Sequence, residues 1–110
     1  MNLPLHGIRV LDLTNIVAGP LGSYQLVLMG AEVIKIETPG TGDLSRKMGA
    51  DPAQAKKNMG VSYLALNAGK QSITLNLKHE EAKDIFRKLV KTADVVMENF
   101  RPGEIGRAHV

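Results

Sequence analysis

Few side chains in this 110-residue sequence could carry acid–base or nucleophilic chemistry. There is no cysteine, which removes thiolate catalysis, disulfides and Cys-ligated metals from consideration. His6, His79 and His109 lack metal-ligand spacing, so no metal site is expected, and no paired Ser/His/Asp arrangement can be read. Asp12 closes a short apolar run. It could act as a general base or ribose ligand, but the simpler expectation is a hydrogen-bonded strand-end carboxylate that organises its own loop. Asp43, in Thr-Gly-Asp, is expected to cap a turn or helix. Lys78 and Arg101 are the cations placed to meet phosphate, with a solvated side chain as the ordinary alternative. Around Gly19-Pro20-Leu21 a helix start could offer backbone N–H groups to an anion. The stretch AGPLGS holds only Gly19 and Gly22, so it does not meet the dinucleotide fingerprint, and no Walker A pattern exists.

The elements that must position these residues follow from hydrophobic period. Ile8–Leu13 is a β-branched, mostly apolar run, as in a buried parallel strand. Leu21–Met29 follows as a helix with Leu21, Tyr24, Gln25 and Leu28 along one stripe and Gly30 as its C-terminal cap. Glu32–Glu37 is a second strand, with Val33 and Lys35 in one phase and Ile34 and Ile36 in the other. Residues 47–61 show no clean period and contain Pro52, so loop with one helical turn at most is expected. Ser62–Leu66 is expected to be a short extended piece, and Ser72–Leu77 alternates as a strand. From His79 to Thr92 the apolar residues Ala82, Ile85, Phe86, Leu89 and Val90 recur with helical spacing, and Ala93–Glu98 forms a last strand. Strand, helix, strand, an excursion, then strand, helix, strand predicts an open parallel α/β sheet. Two clear helices leave one face of that sheet poorly covered, so the fold reads as incomplete. Ligands of such sheets sit at the C-terminal strand ends, where TNIVAGP, TPGTGD, LNLK and ENFRPG fall.

Composition narrows the class. A net charge of +3 with dispersed lysines and little aromatic interleaving does not favour a nucleic-acid partner. The N-terminus lacks the basic flank and apolar core of a signal peptide, and no apolar run reaches membrane-spanning length. No membrane partner and a cytoplasmic location are expected. By residues alone, the chain reads as part of an α/β fold with a nucleotide-like site.

The strand-end segments also carry a family resemblance. PLHGIRVLDLTNIVAGP, MGAEVIKIETPGTGDLSR, NAGKQSITLNLK and ADVVMENFRPG, in that order, resemble the opening of the class III coenzyme A transferases, the CaiB/BaiF or formyl-CoA transferase-like family, over residues 4–103. The resemblance implies a Rossmann-like large domain, of which residues 1–103 would be the N-terminal part, and an interlocked homodimer. It implies transfer of coenzyme A from an acyl-CoA to a carboxylic acid through an aspartyl-CoA intermediate, with no permanently bound cofactor. The nucleophilic Asp of the family lies beyond this segment, so no catalytic residue is assigned here. An α-methylacyl-CoA racemase of the same family is the alternative reaction, and a non-catalytic CoA- or nucleotide-binding module the alternative of another class. By motif position, the implied CoA contacts are Val17, Ala18, Thr38, Leu75, Asn76, Leu77, Lys78, Asn99, Phe100 and Arg101. Many members carry Arg where this chain has Thr38, and some carry Gln at the position of Val17.

The resemblance stops after ENFRPG. The closing EIGRAHV reads as a translation of a common sequencing-adapter DNA, so residues 104–110 are expected to be a non-native tail on a truncated domain that alone would lack transferase activity.

Overall fold

A computed structural model describes residues 2–100. Arg101 and His109, and the expected change of character after Gly103, lie outside the described residues. Strands β1 (Arg9–Asp12), β2 (Glu32–Glu37), β3 (Gln71–Thr74) and β4 (Val95–Met97) form one parallel sheet in the order β3-β2-β1-β4. The chain runs outward from β1 through β2 to β3, then crosses back to place β4 on the other side of β1. The strand order therefore reverses between β1 and β4, the position at which open α/β sheets form a ligand crevice. Glu32–Glu37 has the expected bounds. The strand expected over Ser72–Leu77 ends at Thr74.

Register fixes which side chains share a face. Leu11 pairs with Ile34 and, with Leu13 and Ile36, packs against Phe86 of helix α4 (Glu80–Val90). Phe86 is the inward anchor of the Ala82/Phe86 stripe. Glu80 and Glu81 in the first turn, and Arg87 and Lys88 in the last, complement the helix dipole. On the opposite face Val10 pairs with Val33 and meets Leu26 and Val27 of helix α1 (Ala18–Leu28).

Three local expectations are corrected. Helix α1 begins at Ala18, and the stripe Leu21–Gln25–Leu28 faces outward: Leu21 is 45% and Leu28 55% exposed. In the first half of the helix small residues take the inward side, because a Cβ at Gly19 would overlap the Thr14 side chain and Ser23 bonds Asp12, and Leu26 and Val27 pack inward near its end. Gly30 does follow the helix in the left-handed conformation (φ 101°) its capping role requires. The excursion is more ordered than expected. It holds a 3-10 helix (Leu44–Lys47), α2 (Pro52–Lys56) and α3 (Val61–Asn67), so Ser62–Leu66 is helical and not extended. Its inward residues, Tyr63 and Asn67, stand one helical turn apart and are polar, which hid the helical period. Because α3 packs beside α1, the sheet face expected to be poorly covered carries two helices.

That face changes character along the strands. Beyond Val10 and Val33 the same phase continues with Asp12, Lys35 and Glu37, all buried. Each meets an opposite charge from the segments crossing above. Lys70 Nζ donates to Asp12 Oδ2 (3.0 Å), Asn67 Oδ1 (2.7 Å) and the Pro20 carbonyl (3.1 Å). Lys35 Nζ pairs with Asp43 Oδ2 at 2.8 Å and donates to the Thr14 carbonyl at 2.8 Å. Arg46 grips Glu37 through Nε and Nη2, both at 2.7 Å. Asp12 also accepts from the Thr14 amide (2.9 Å), the Thr14 hydroxyl and Ser23 Oγ (2.5 Å). Asp43 caps the 3-10 helix through the Ser45 amide (2.9 Å), as its sequence context predicts.

The sign of the pH dependence follows. Burial opposes the charge on all three carboxylates. Hydrogen bonds from Ser23 and Thr14 outweigh it at Asp12, contacts from Lys35, Ser45 and Ile16 at Asp43, and those from Arg46 and Ser72 at Glu37. Each pKa falls below its ordinary value, that of Glu37 to about 2 from 4.5. A carboxylate depressed by folding stabilises the fold above its unfolded pKa and loses that contribution as pH falls through its folded one. Thermal melts should therefore show a melting temperature that declines between pH 4.5 and about 2, with Glu37→Gln flattening part of that decline.

Candidate functional site

All four strand exits open onto one cleft of about 400 Å³. Leu13 and Asn15 leave β1, Glu37 and Thr38 end β2, Leu75–Lys78 follow β3, and Phe100 follows β4. Leu13, Ile36, Leu75, Leu77 and Phe100 belong to the apolar cluster around Phe86, so the floor of the cleft is the top of the core. The Leu75 amide donates to the Glu37 carbonyl (3.0 Å), which brings the post-β3 segment across the end of β2. Asn76 Oδ1 accepts from the Lys78 amide at 3.2 Å, turning the chain into α4 and leaving Lys78 exposed at the rim.

Of the residues singled out by sequence, Thr38, Leu75, Asn76, Leu77, Lys78 and Phe100 line this cleft. Asn99 is not among them but bonds one lining residue, Asn15. Its side chain accepts from the Asn15 amide (3.2 Å) and donates to the Asn15 carbonyl (3.0 Å), tying the β4 exit to the β1 exit. Val17 and Ala18 sit at the start of α1, where Val17 is 51% exposed and the helix has no side-chain cap. They are not among the cleft-lining residues. Arg101 lies outside the described residues. Leu13, Asn15, Ile36 and Glu37 line the cleft without having been singled out. The signal for Asn15 was available, since it is a polar residue three positions past the buried end of β1.

Electrostatically the cleft is set by Glu37 and Lys78. The Glu37 carboxylate is ionised but fully engaged. Besides Arg46, it accepts from the Asp43 amide (2.8 Å), the Ser72 hydroxyl and Tyr63 Oη (3.4 Å). The Arg46 guanidinium lies 3.8 Å from the centroid of the Tyr63 ring, and its hydrogen bonds to Glu37 raise its pKa. Burial and the Glu37 charge push the Tyr63 phenol up, so it stays protonated. A second hollow of about 160 Å³ adjoins beside Gly40–Gly42, sharing Glu37 and Thr38. With Glu37 neutralised by Arg46, Lys78 is the uncompensated cation among the residues lining the cleft. An apolar floor, backbone amides at strand exits and one rim cation can seat a flat apolar ring with an attached anion. Among the described residues no group of three His, Asp or Glu side chains is placed to hold a metal ion, and no helix is long and apolar enough to cross a membrane.

The chain is 43% identical over 105 residues to the formyl-CoA:oxalate CoA-transferases of Escherichia coli O139:H28 and Shigella boydii serotype 18. Each alignment covers 96% of this chain and 24% of that protein. A crystal structure of a hypothetical protein from Mycobacterium tuberculosis superposes with a TM-score of 0.84 at 44% identity, covering 96% of this chain and 28% of that one. A CAIB/BAIF family protein from Brucella suis superposes with a TM-score of 0.80 at 36% identity, covering 98% and 29%. The chain thus spans about a quarter of the length of the curated relatives it matches. The family model described as CoA-transferase family III matches residues 5–110, and the chain belongs to that family.

Proposed function

We propose that the cleft receives coenzyme A, and that the protein to which this segment belongs transfers CoA from an acyl-CoA to a carboxylic acid. One observation carries the reading. Six residues expected from the family resemblance to contact CoA, drawn from three separate segments, line the same cleft at the strand-order reversal. In this reading the adenine lies on the apolar floor of Leu75, Leu77 and Phe100, and Lys78 meets a phosphate at the rim. Val17 and Ala18 flank the cofactor further along. With Thr38 at the position where many members carry Arg, Lys78 takes the larger share of the phosphate contact.

The transfer runs through a carboxylate nucleophile, with an acyl-Asp anhydride and then an aspartyl-CoA thioester as intermediates. Neither Asp12 nor Asp43 can serve, since both are buried in ion pairs and neither lines the cleft. The nucleophile, the acid-binding pocket and the interlocked homodimer belong to sequence outside this segment. Formyl-CoA and oxalate, the substrates that the E. coli relative's name gives, are the first pair to assay.

Calorimetric titration of the 110-residue chain should show CoA binding, with Lys78→Ala weakening it about tenfold, roughly 1.4 kcal/mol. No heat of binding with CoA, or unchanged affinity in Lys78→Ala, contradicts the assignment. The chain alone should transfer no CoA. Residues 5–100, spliced in place of the matching segment of the E. coli formyl-CoA:oxalate CoA-transferase, should restore measurable transfer between formyl-CoA and oxalate. A folded but inactive chimera would count against that substrate pair.

A further inference from the structure

The turn between β1 and α1 holds a conformation its sequence disfavours. Ile16 has φ 72°, in the left-handed region, where a β-branched residue meets its own Cβ and carbonyl sterically. Such a conformation persists only where the surroundings over-determine it. Here they do. The Thr14 amide bonds Asp12 and the Thr14 carbonyl accepts from Lys35. The Asn15 amide and carbonyl both bond Asn99. The Ile16 amide donates to Asp43 Oδ1 at 3.0 Å. Asp43 is anchored in turn, fully buried, by Lys35 (2.8 Å) and by the Ser45 amide and hydroxyl (both 2.9 Å).

Asp43 is the one of these partners that grips the strained residue itself, and it reaches it from 27 positions away, across the exit of β2. What the turn presents is functional in the reading above. Asn15 lines the cleft, and Val17, immediately after Ile16, stands exposed at the helix start. We propose that Asp43 is a positioning residue: its hydrogen bond to the Ile16 amide holds the β1–α1 turn left-handed and so sets where Asn15, Val17 and Ala18 face a bound CoA. The second half of this statement rests on the CoA reading; the first does not.

The test separates positioning from stability. In Asp43→Ala, exchange of the Ile16 amide with solvent should accelerate at least about tenfold, and the dissociation constant for CoA should rise about tenfold. Its melting temperature also falls, because Lys35 is left buried without its counter-charge. Lys35→Met/Asp43→Ala removes that stranded charge. It should recover much of the melting temperature while keeping fast exchange and weak CoA binding. Ile16→Gly added to Asp43→Ala should do the reverse, bringing the affinity within about threefold of Ile16→Gly alone without restoring the melting temperature. If affinity simply follows melting temperature across the set, or Ile16 exchanges as slowly without Asp43 as with it, the proposal is overturned. Should Asp43→Ala fail to fold, Lys35→Met/Asp43→Ala measured against Lys35→Met, which loses the Thr14 contact but keeps Asp43, decides the same two readouts. Should the unsubstituted chain bind no CoA, the functional reading fails, and Ile16 exchange alone decides whether Asp43 holds the turn.

Discussion

The buried pair between Lys35 and Asp43 is the interaction on which the upper half of the molecule depends. Neither side chain is exposed to solvent, and the two groups come from the second strand and from the loop that leaves it. Lys35 also reaches the carbonyl of Thr14 at the exit of the first strand, and Asp43 reaches the amide of Ile16. One ion pair thus fastens two strand exits to each other. Removing two charges from water costs several kcal/mol per ion before pairing, and apolar replacements of equal volume often serve stability as well. Conformational specificity is the better account of why charge is used here. An aliphatic pair would fill the space without fixing the direction of either loop.

The same logic extends sideways. Asp12 of the neighbouring strand β1 with Lys70, and Glu37 two residues further along β2 with Arg46, flank the central pair, so the face of the sheet turns from aliphatic to ionic where the strands end. The partner cations and carboxylates arrive from the excursion and from the turn before β3, segments whose aliphatic residues, Leu44, Val61 and Leu64 among them, face outward. Polar contacts therefore organise this side, while the opposite side is a conventional aliphatic core around Phe86. The cleft opens where the two regimes meet. Its floor is the end of the aliphatic core, and its walls are loops held by the ionic layer.

Much of this was legible in the sequence. The βαβ order, the bounds of Glu32–Glu37, the Gly30 cap and the gathering of four strand-end segments at one site follow from period and turn chemistry. The structural readings of Asp12 as a loop organiser and Asp43 as a cap also hold, because short side chains at strand and helix ends act locally. The ionic layer was harder to see. Lys35 shares a phase with buried Val33, which was a signal, but a lysine in a strand is ordinarily read as solvated. Helix α3 went unseen because its inward positions are Tyr63 and Asn67 and its exposed ones include Val61 and Leu64, the inverse of an amphipathic pattern. Helix α1 faced the wrong way for a related reason. In its first half the inward positions, Gly19 and Ser23, are small so that it can approach the sheet, Leu21 and Leu28 point out, and only Leu26 and Val27 near its end pack inward.

The central claim is that the strand-exit loops are held in place before any ligand arrives. Amide hydrogen exchange on the unsubstituted chain, with and without CoA, tests it most directly. The account predicts that the amides of Thr14, Asn15 and Ile16 exchange as slowly as those of β1 in the free chain. CoA should then add protection at Thr38, Leu75–Lys78 and Phe100, leaving α2 unchanged. Exchange of Thr14–Ile16 at the rate of an open loop, slowing only when CoA is added, would contradict it.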